Sequence, residues 1–296
     1  MQIIDPKMDE TNNLITRVES LIDRLESFLP PKKTPIDWSA LAWRWQVSNN
    51  QGNLHAVNFP HNVHLDDIKN VDEQKSEIIR NTLQFINGLP ANNVLLTGAR
   101  GTGKSSLIKA LLTEFSSNGL RLVEVERNHL VYLPDIVSLL RERAERFIIF
   151  CDDLTFESAD TGYKALKVTL DGSIACTSEN VIIYATSNRR HLLPEYMAEN
   201  LDTHYLNDEI RPNDTVEEKV SLSERFGLWL SFYPFSQDEY LSIVSLWIKR
   251  FGIMESNGEV RNLALQFSLS RGSRSGRIAY QFARDYAGKI LMEKIK

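Results

Sequence analysis

Residues 93–106 read NVLLTGARGTGKSS. A short apolar strand, residues 93–97, runs into a loop with the spacing Gly98-x-x-x-x-Gly103-Lys104-Ser105, and residues 105–117 continue as a helix. Glycines at these positions let the backbone turn tightly enough for its N–H groups to face phosphate oxygens. The loop residues Gly98, Ala99, Arg100, Gly101, Thr102, Gly103, Lys104, Ser105 and Ser106 are therefore the expected nucleotide grip. Lys104 is expected at the β- and γ-phosphates and Ser105 at Mg²⁺, while the following helix directs its positive N-terminal end at the same phosphates.

Outward from this loop, strand and helix patterns alternate. Residues 70–87 read as a helix, 120–126 as a strand, 134–146 as a helix, and 147–151 and 181–186 as fully apolar strands. Such alternation predicts an α/β fold, a parallel sheet sandwiched by helices. The strand FIIFC ends in Asp152 and Asp153. A buried strand ending in a carboxylate beside a phosphate loop can hold Mg²⁺ through water, the role assigned to Asp152. Asp153 is then placed to polarise the attacking water as a general base. After about residue 236 the strand patterns stop. Residues 239–251, 259–270 and 275–294 read as three helices, a small all-helical lid.

Upstream, residues 8–29 space apolar side chains in steps of three and four, and Pro30 and Pro31 end that pattern. Trp38, Trp43 and Trp45 follow, either packing this region on the body or docking a partner. The expected organisation is a helical N-terminal appendage over residues 1–60, a nucleotide-binding domain over 61–235 and the lid over 236–296.

The 296 residues carry 42% hydrophobic and 25% charged side chains with a formal net charge of -5. An acidic chain argues against broad coating of nucleic acid, which needs a basic face, without excluding a local basic patch. Two cysteines, Cys151 and Cys176, and an N-terminus without a charged then apolar leader point to a reducing compartment and a cytoplasmic protein. No stretch approaches the roughly 18 apolar residues of a membrane span, so no membrane partner is expected. The six histidines lack zinc-ligand spacing, and His61 and His64 read as solvated loop residues. Trp229, Phe232, Tyr233 and Phe235 read as core between the two parts, and residues 207–218 as an exposed loop.

The order of these pieces resembles the AAA+ ATPases. The segments PANNVLLTGARGTGKSS, TSNRRHLLPE and SERFGLWLSFYPF look closest to a bacterial AAA+ branch known as a domain of unknown function, with some resemblance to replication initiators and helicase loaders. The resemblance implies several roles. Asn188, at the end of VIIYATSN, corresponds to the polar sensor-1 residue that orients water against the γ-phosphate. Arg225, in SERFG, corresponds to the arginine finger that reaches a neighbouring subunit's ATP, which makes a homo-oligomer the active form. In RGSRSGRIAYQF, Arg277, or alternatively Arg274, corresponds to the lid's sensor-2 arginine. Arg271, Arg274 and Arg277 could instead form a basic patch for phosphate or nucleic acid. Leu65 and Ile68, in LDDIKNVDEQK, are the apolar candidates for an adenine pocket. The expected activity is Mg²⁺-dependent ATP hydrolysis to ADP that remodels a macromolecular partner, an unidentified protein or DNA. Because Asp153 is a methylene shorter than the Glu common at its position, the alternatives are a nucleotide-gated assembly switch with little turnover, or a DNA-handling loader.

Overall fold

A computed structural model of the chain describes residues 17–21, 35–48, 51–58, 60, 62–155, 161–171, 178–188, 205–206, 209–210, 222–253 and 258–293. Seven strands form one sheet: β1 (Ala42–Ser48), β2 (Gln51–Ala56), β3 (Val94–Gly98), β4 (Leu120–Glu124), β5 (Arg146–Cys151), β6 (Val181–Ser187) and β9 (Leu228–Phe232). Their order is β2-β1-β4-β5-β6-β3-β9. Every neighbouring pair is parallel except β1 with β2. The short strands β7 (Tyr205–Leu206) and β8 (Glu209–Ile210) pair separately.

Alternate residues of the central strands feed two cores. Val94, Leu96, Ile148, Phe150, Ile182 and Tyr184 face helices α1 (Asp72–Ile86) and α2 (Lys104–Phe115). Leu95, Phe147, Ile149, Cys151, Ile183 and Ala185 face α3 (Leu133–Arg141) and α4 (Thr161–Asp171). Strands buried on both faces read as continuous apolar runs, which is why FIIFC and VIIYA carry no alternation. The lid is α5 (Gln237–Arg250), α6 (Gly258–Ser270) and α7 (Gly276–Glu293). Its buried residues, among them Tyr240, Ile248, Ala264 and Phe282, join the α1–α2 core as one cluster. Ser236 starts α5 with a capping box to Glu239.

Two expectations are corrected here. The appendage over residues 1–60 is not helical throughout. Residues 17–21 are helical and the rest of the 8–29 pattern lies outside the described residues, but β1 and β2 pair antiparallel and extend the sheet beyond β4. Trp43 and Trp45 point inward from β1 with 1% and 4% exposure, and Trp43 packs 6.0 Å from Phe147, so the tryptophans weld β1 to the body. The aromatic cluster after SERFG is not all core. It lies on and just after strand β9, whose alternating faces bury Phe232 and leave Trp229 38% exposed; Tyr233 is 74% exposed. Apart from 209–210, the 207–218 loop lies outside the described residues.

Candidate functional site

Parallel strands deliver their C-terminal ends to one edge of the sheet, and open α/β sheets bind ligands there. Register brings three ends together. Thr97 pairs with Ser187, so the loop after β3 begins beside Asn188. Cys151 pairs with Ala185, so Asp152 and Asp153 emerge beside Thr186. The loop between β3 and α2 turns through positive φ at Gly98, Gly101 and Gly103.

A cleft of about 980 Å³ opens over this edge, floored by the glycine loop and roofed by the lid. Arg100, Gly101, Thr102, Gly103, Lys104, Ser105, Ser106, Asp152, Asp153 and Asn188 all line it, with Ile68 from the segment before α1 and Arg277 from the start of α7. Gly98 and Ala99 act through their carbonyls, which accept hydrogen bonds from Lys104 Nζ at 2.7 and 2.8 Å. The third proton of that ammonium goes to Asn188 Oδ1 at 3.0 Å. Burial pushes the Lys104 ammonium down to about 8, against Asp153 and Asp152, which hold it up.

The oxygen set suits a small hard cation. Ser105 Oγ donates to Asp152 Oδ1 at 2.6 Å. Its only proton is committed to the carboxylate, so its lone pairs are left for a metal. Thr186 Oγ1 donates to the same Oδ1, also at 2.6 Å. Asp153 Oδ1 accepts from Asn188 Nδ2 at 2.5 Å, and its other oxygen lies 3.9 Å from the Arg100 guanidinium. A hydrogen-bonded path therefore runs from Lys104 through Asn188 to Asp153, and from Ser105 to Asp152. These residues fit Mg²⁺ held by Ser105 and Asp152 together with a triphosphate on the loop.

Three sequence candidates fall elsewhere. Leu65 does not line the cleft; it packs partly buried against the core, while Ile68 lines the cleft. Arg274 does not line the cleft either, whereas Arg277 does. Arg225 stands away from its own chain's cleft and pairs with Asp171 at the end of α4. His64, read as a solvated loop residue, is an exposed loop residue and also lines the cleft, while His61 lies outside the described residues.

Residues outside the sequence reading complete the cleft. Ile243, Trp247 and Arg250 come from one face of α5, and Tyr280 lies one turn beyond Arg277 on α7. Trp247 and Tyr280 meet edge to face with centroids 4.8 Å apart. Arg250 forms an ion pair with Asp67, joining the lid to the segment before α1. The spacing of 243, 247 and 250 was a legible helical stripe, but what faced it was not.

A glycine loop after a parallel strand, paired strand-end carboxylates and a following helical lid give the chain the fold of an AAA+ P-loop domain. Solved structures similar to this chain have that fold. A mutant of RuvB from Thermotoga maritima matches at 18% identity with a TM-score of 0.54, over 78% of this chain and 66% of that one. The Aeropyrum pernix ORC1 protein in complex with DNA matches at 14% identity with a TM-score of 0.51, over 77% and 61%. The chain thus spans less than two thirds of the length of these relatives. No curated protein matches its sequence. Residues 38–290 match the family described as "Protein of unknown function (DUF815)", and the chain belongs to that family. The match begins before β1 and runs almost to the end of α7.

Proposed function

We propose that the protein is a Mg²⁺-dependent ATPase of the AAA+ type. The observation that carries this reading is the convergence of Lys104, Ser105, Asp152, Asp153 and Asn188 at three adjoining strand ends, joined by direct hydrogen bonds. Phosphate oxygens on the glycine loop draw the Lys104 ammonium off the Gly98 and Ala99 carbonyls. Ser105 and Asp152 would hold Mg²⁺, which would supply neutralisation of the phosphate charge. Asp153, positioned by Asn188, accepts a proton from the attacking water; the oxygen bonds to the γ-phosphorus as the bond to the bridging oxygen breaks, leaving ADP and phosphate. The aromatic pair Trp247 and Tyr280, with Ile68 and Ile243, offers the base an apolar wall. Arg277 acts on the phosphates from the lid, and Arg225 completes the site of a second copy in a homo-oligomer. The cycle then moves a macromolecular partner, protein or DNA, in the cytoplasm.

Steady-state hydrolysis and nucleotide binding test this together. Lys104→Ala should lose tight ATP binding, and Asp153→Asn should keep binding while turnover falls by about 10²-fold or more. Hydrolysis untouched by either substitution would overturn the assignment. A second reading is an ATP-gated assembly switch, favoured by the hold that Asn188 and Arg100 already have on Asp153. Single-turnover hydrolysis separates the two: rapid chemistry excludes the switch.

A further inference from the structure

We infer that Thr186 is the positioning residue of this site, whose one hydroxyl holds the Asp152 carboxylate and the Asp153 backbone and hence sets the Mg²⁺ affinity of the proposed ATPase; the inference rests on that reading of the cleft. Thr186 is 1% exposed on β6, two residues before Asn188, and lines the cleft between the strand ends. Its Oγ1 gives its proton to Asp152 Oδ1 at 2.6 Å and accepts the Asp153 N–H at 2.9 Å. Neither direction is ambiguous, because a carboxylate has only acceptors and an amide N–H only donates. The Thr186 carbonyl accepts the Leu154 N–H at 2.7 Å. One residue therefore holds three consecutive residues, 152–154, at the point where the chain leaves β5.

The geometry gives that hold a functional target. Asp153 sits at φ +51, so the chain reverses sharply between the two acids. The Asp153 amide is tied to the same oxygen that fixes the Asp152 carboxylate, so one atom joins the first acid's side chain to the second acid's backbone, while Asn188 holds the Asp153 carboxylate. Asp152 Oδ1 takes two hydroxyl protons, from Ser105 and Thr186. Of these donors, Ser105 sits in the first turn of α2, directly after the loop that must accommodate phosphate and cation, and Thr186 sits on a central strand buried on both faces. The strand donor orients Asp152; the lone pairs of the helix donor are left to face the metal. A partner that orients a metal-holding carboxylate typically governs metal affinity by about 10- to 100-fold.

The test uses the full chain and a fluorescent ATP analogue, titrated with Mg²⁺ and separately in excess chelator. Thr186→Val keeps the shape and β-propensity of the side chain but removes the hydroxyl; Thr186→Ser keeps the hydroxyl. We expect the Mg²⁺ half-saturation point for Thr186→Val to rise by about 10-fold or more. Metal-free binding of the analogue should stay unchanged, and Thr186→Ser should stay within about twofold of the unsubstituted protein, the shift being confined to loss of the hydroxyl. In hydrolysis, kcat should fall for Thr186→Val with KM for the Mg²⁺–nucleotide little changed once Mg²⁺ is saturating. An unchanged Mg²⁺ dependence in Thr186→Val overturns the inference, as does an equal shift in Thr186→Ser or a matching loss of metal-free binding. Should the unsubstituted protein bind Mg²⁺ and nucleotide without turning over, the hydrolase reading fails, and the Mg²⁺ titration still decides the role of Thr186.

Discussion

At the scale of single residues, Asp153 combines a chemical and a conformational demand. Its φ of +51 lies in the left-handed region, which Asp and Asn visit because their short polar side chains bond locally, and which costs most other L residues about 1–2 kcal/mol. Asp153→Asn should therefore leave the unfolding free energy nearly unchanged, whereas Asp153→Ala should lower it by about 1 kcal/mol, measured by denaturant unfolding without nucleotide. Equal stability of the two variants would count against a strained turn. Lys104, Ser105, Asp152 and Asp153 were legible because each belongs to a short pattern whose chemistry is local. Thr186 was not. Within VIIYATSN it reads as one more strand residue, and only the register of β5 against β6 sets its hydroxyl between the two acids.

At the scale of elements, the phosphate loop and the last lid helix are in direct contact. Gly276 N–H at the start of α7 donates to the Gly101 carbonyl at 2.8 Å, and a Cβ on Gly101 would lie 2.8 Å from both Cβ and Oγ of Ser275. Ser275 itself is 5% exposed and accepts the Ile278 N–H, so it cannot simply swing away. Gly101→Ala should therefore do more than strain a left-handed residue: it should part loop from lid and weaken nucleotide binding by about 10-fold or more, a loss of about 1.4 kcal/mol. Gly119→Ala is the control, because Gly119 shares the positive φ but has nothing within 4 Å of an added Cβ. It should cost about 1 kcal/mol of stability and leave nucleotide affinity alone. Calorimetric titration of both variants checks this. The antiparallel pair β1 and β2 was the element least legible in the sequence. The alternation in AWRWQVS, with Trp43 and Trp45 inward and Arg44 and Gln46 between them, is a period-2 signal. It was overshadowed by the helical pattern upstream.

At the scale of the whole molecule, the cleft carries arginines from its own loop and lid, but Arg225 is not among them. One of its partners within the chain is Asp171, at the C-terminal end of α4. If Arg225 serves the ATP of a second copy, specific activity should rise with protein concentration, and Arg225→Ala should lower kcat by about 10³-fold. Asp171→Asn, which breaks the intrachain pair and spares the arginine, should retain turnover. A rate independent of dilution and indifferent to Arg225→Ala would remove the trans role. No helix among the described residues is long and apolar enough to cross a membrane.

The sequence by itself determined the glycine loop, the acidic strand end, the alternation that builds a parallel sheet and the three lid helices. Those features are local, written in runs shorter than one strand–loop–helix unit, and the buried strands announce themselves by unbroken apolar runs. Only the tertiary structure decided what meets across the cleft. Trp247 and Tyr280 come together from separate lid helices, Arg250 and Asp67 bridge lid and body, and Arg277 rather than Arg274 faces the loop. It also decided that one threonine hydroxyl holds the first acid's carboxylate and the second acid's backbone. Such contacts depend on register and on how helices pack, which no single stretch of chain encodes; they are properties of the folded whole.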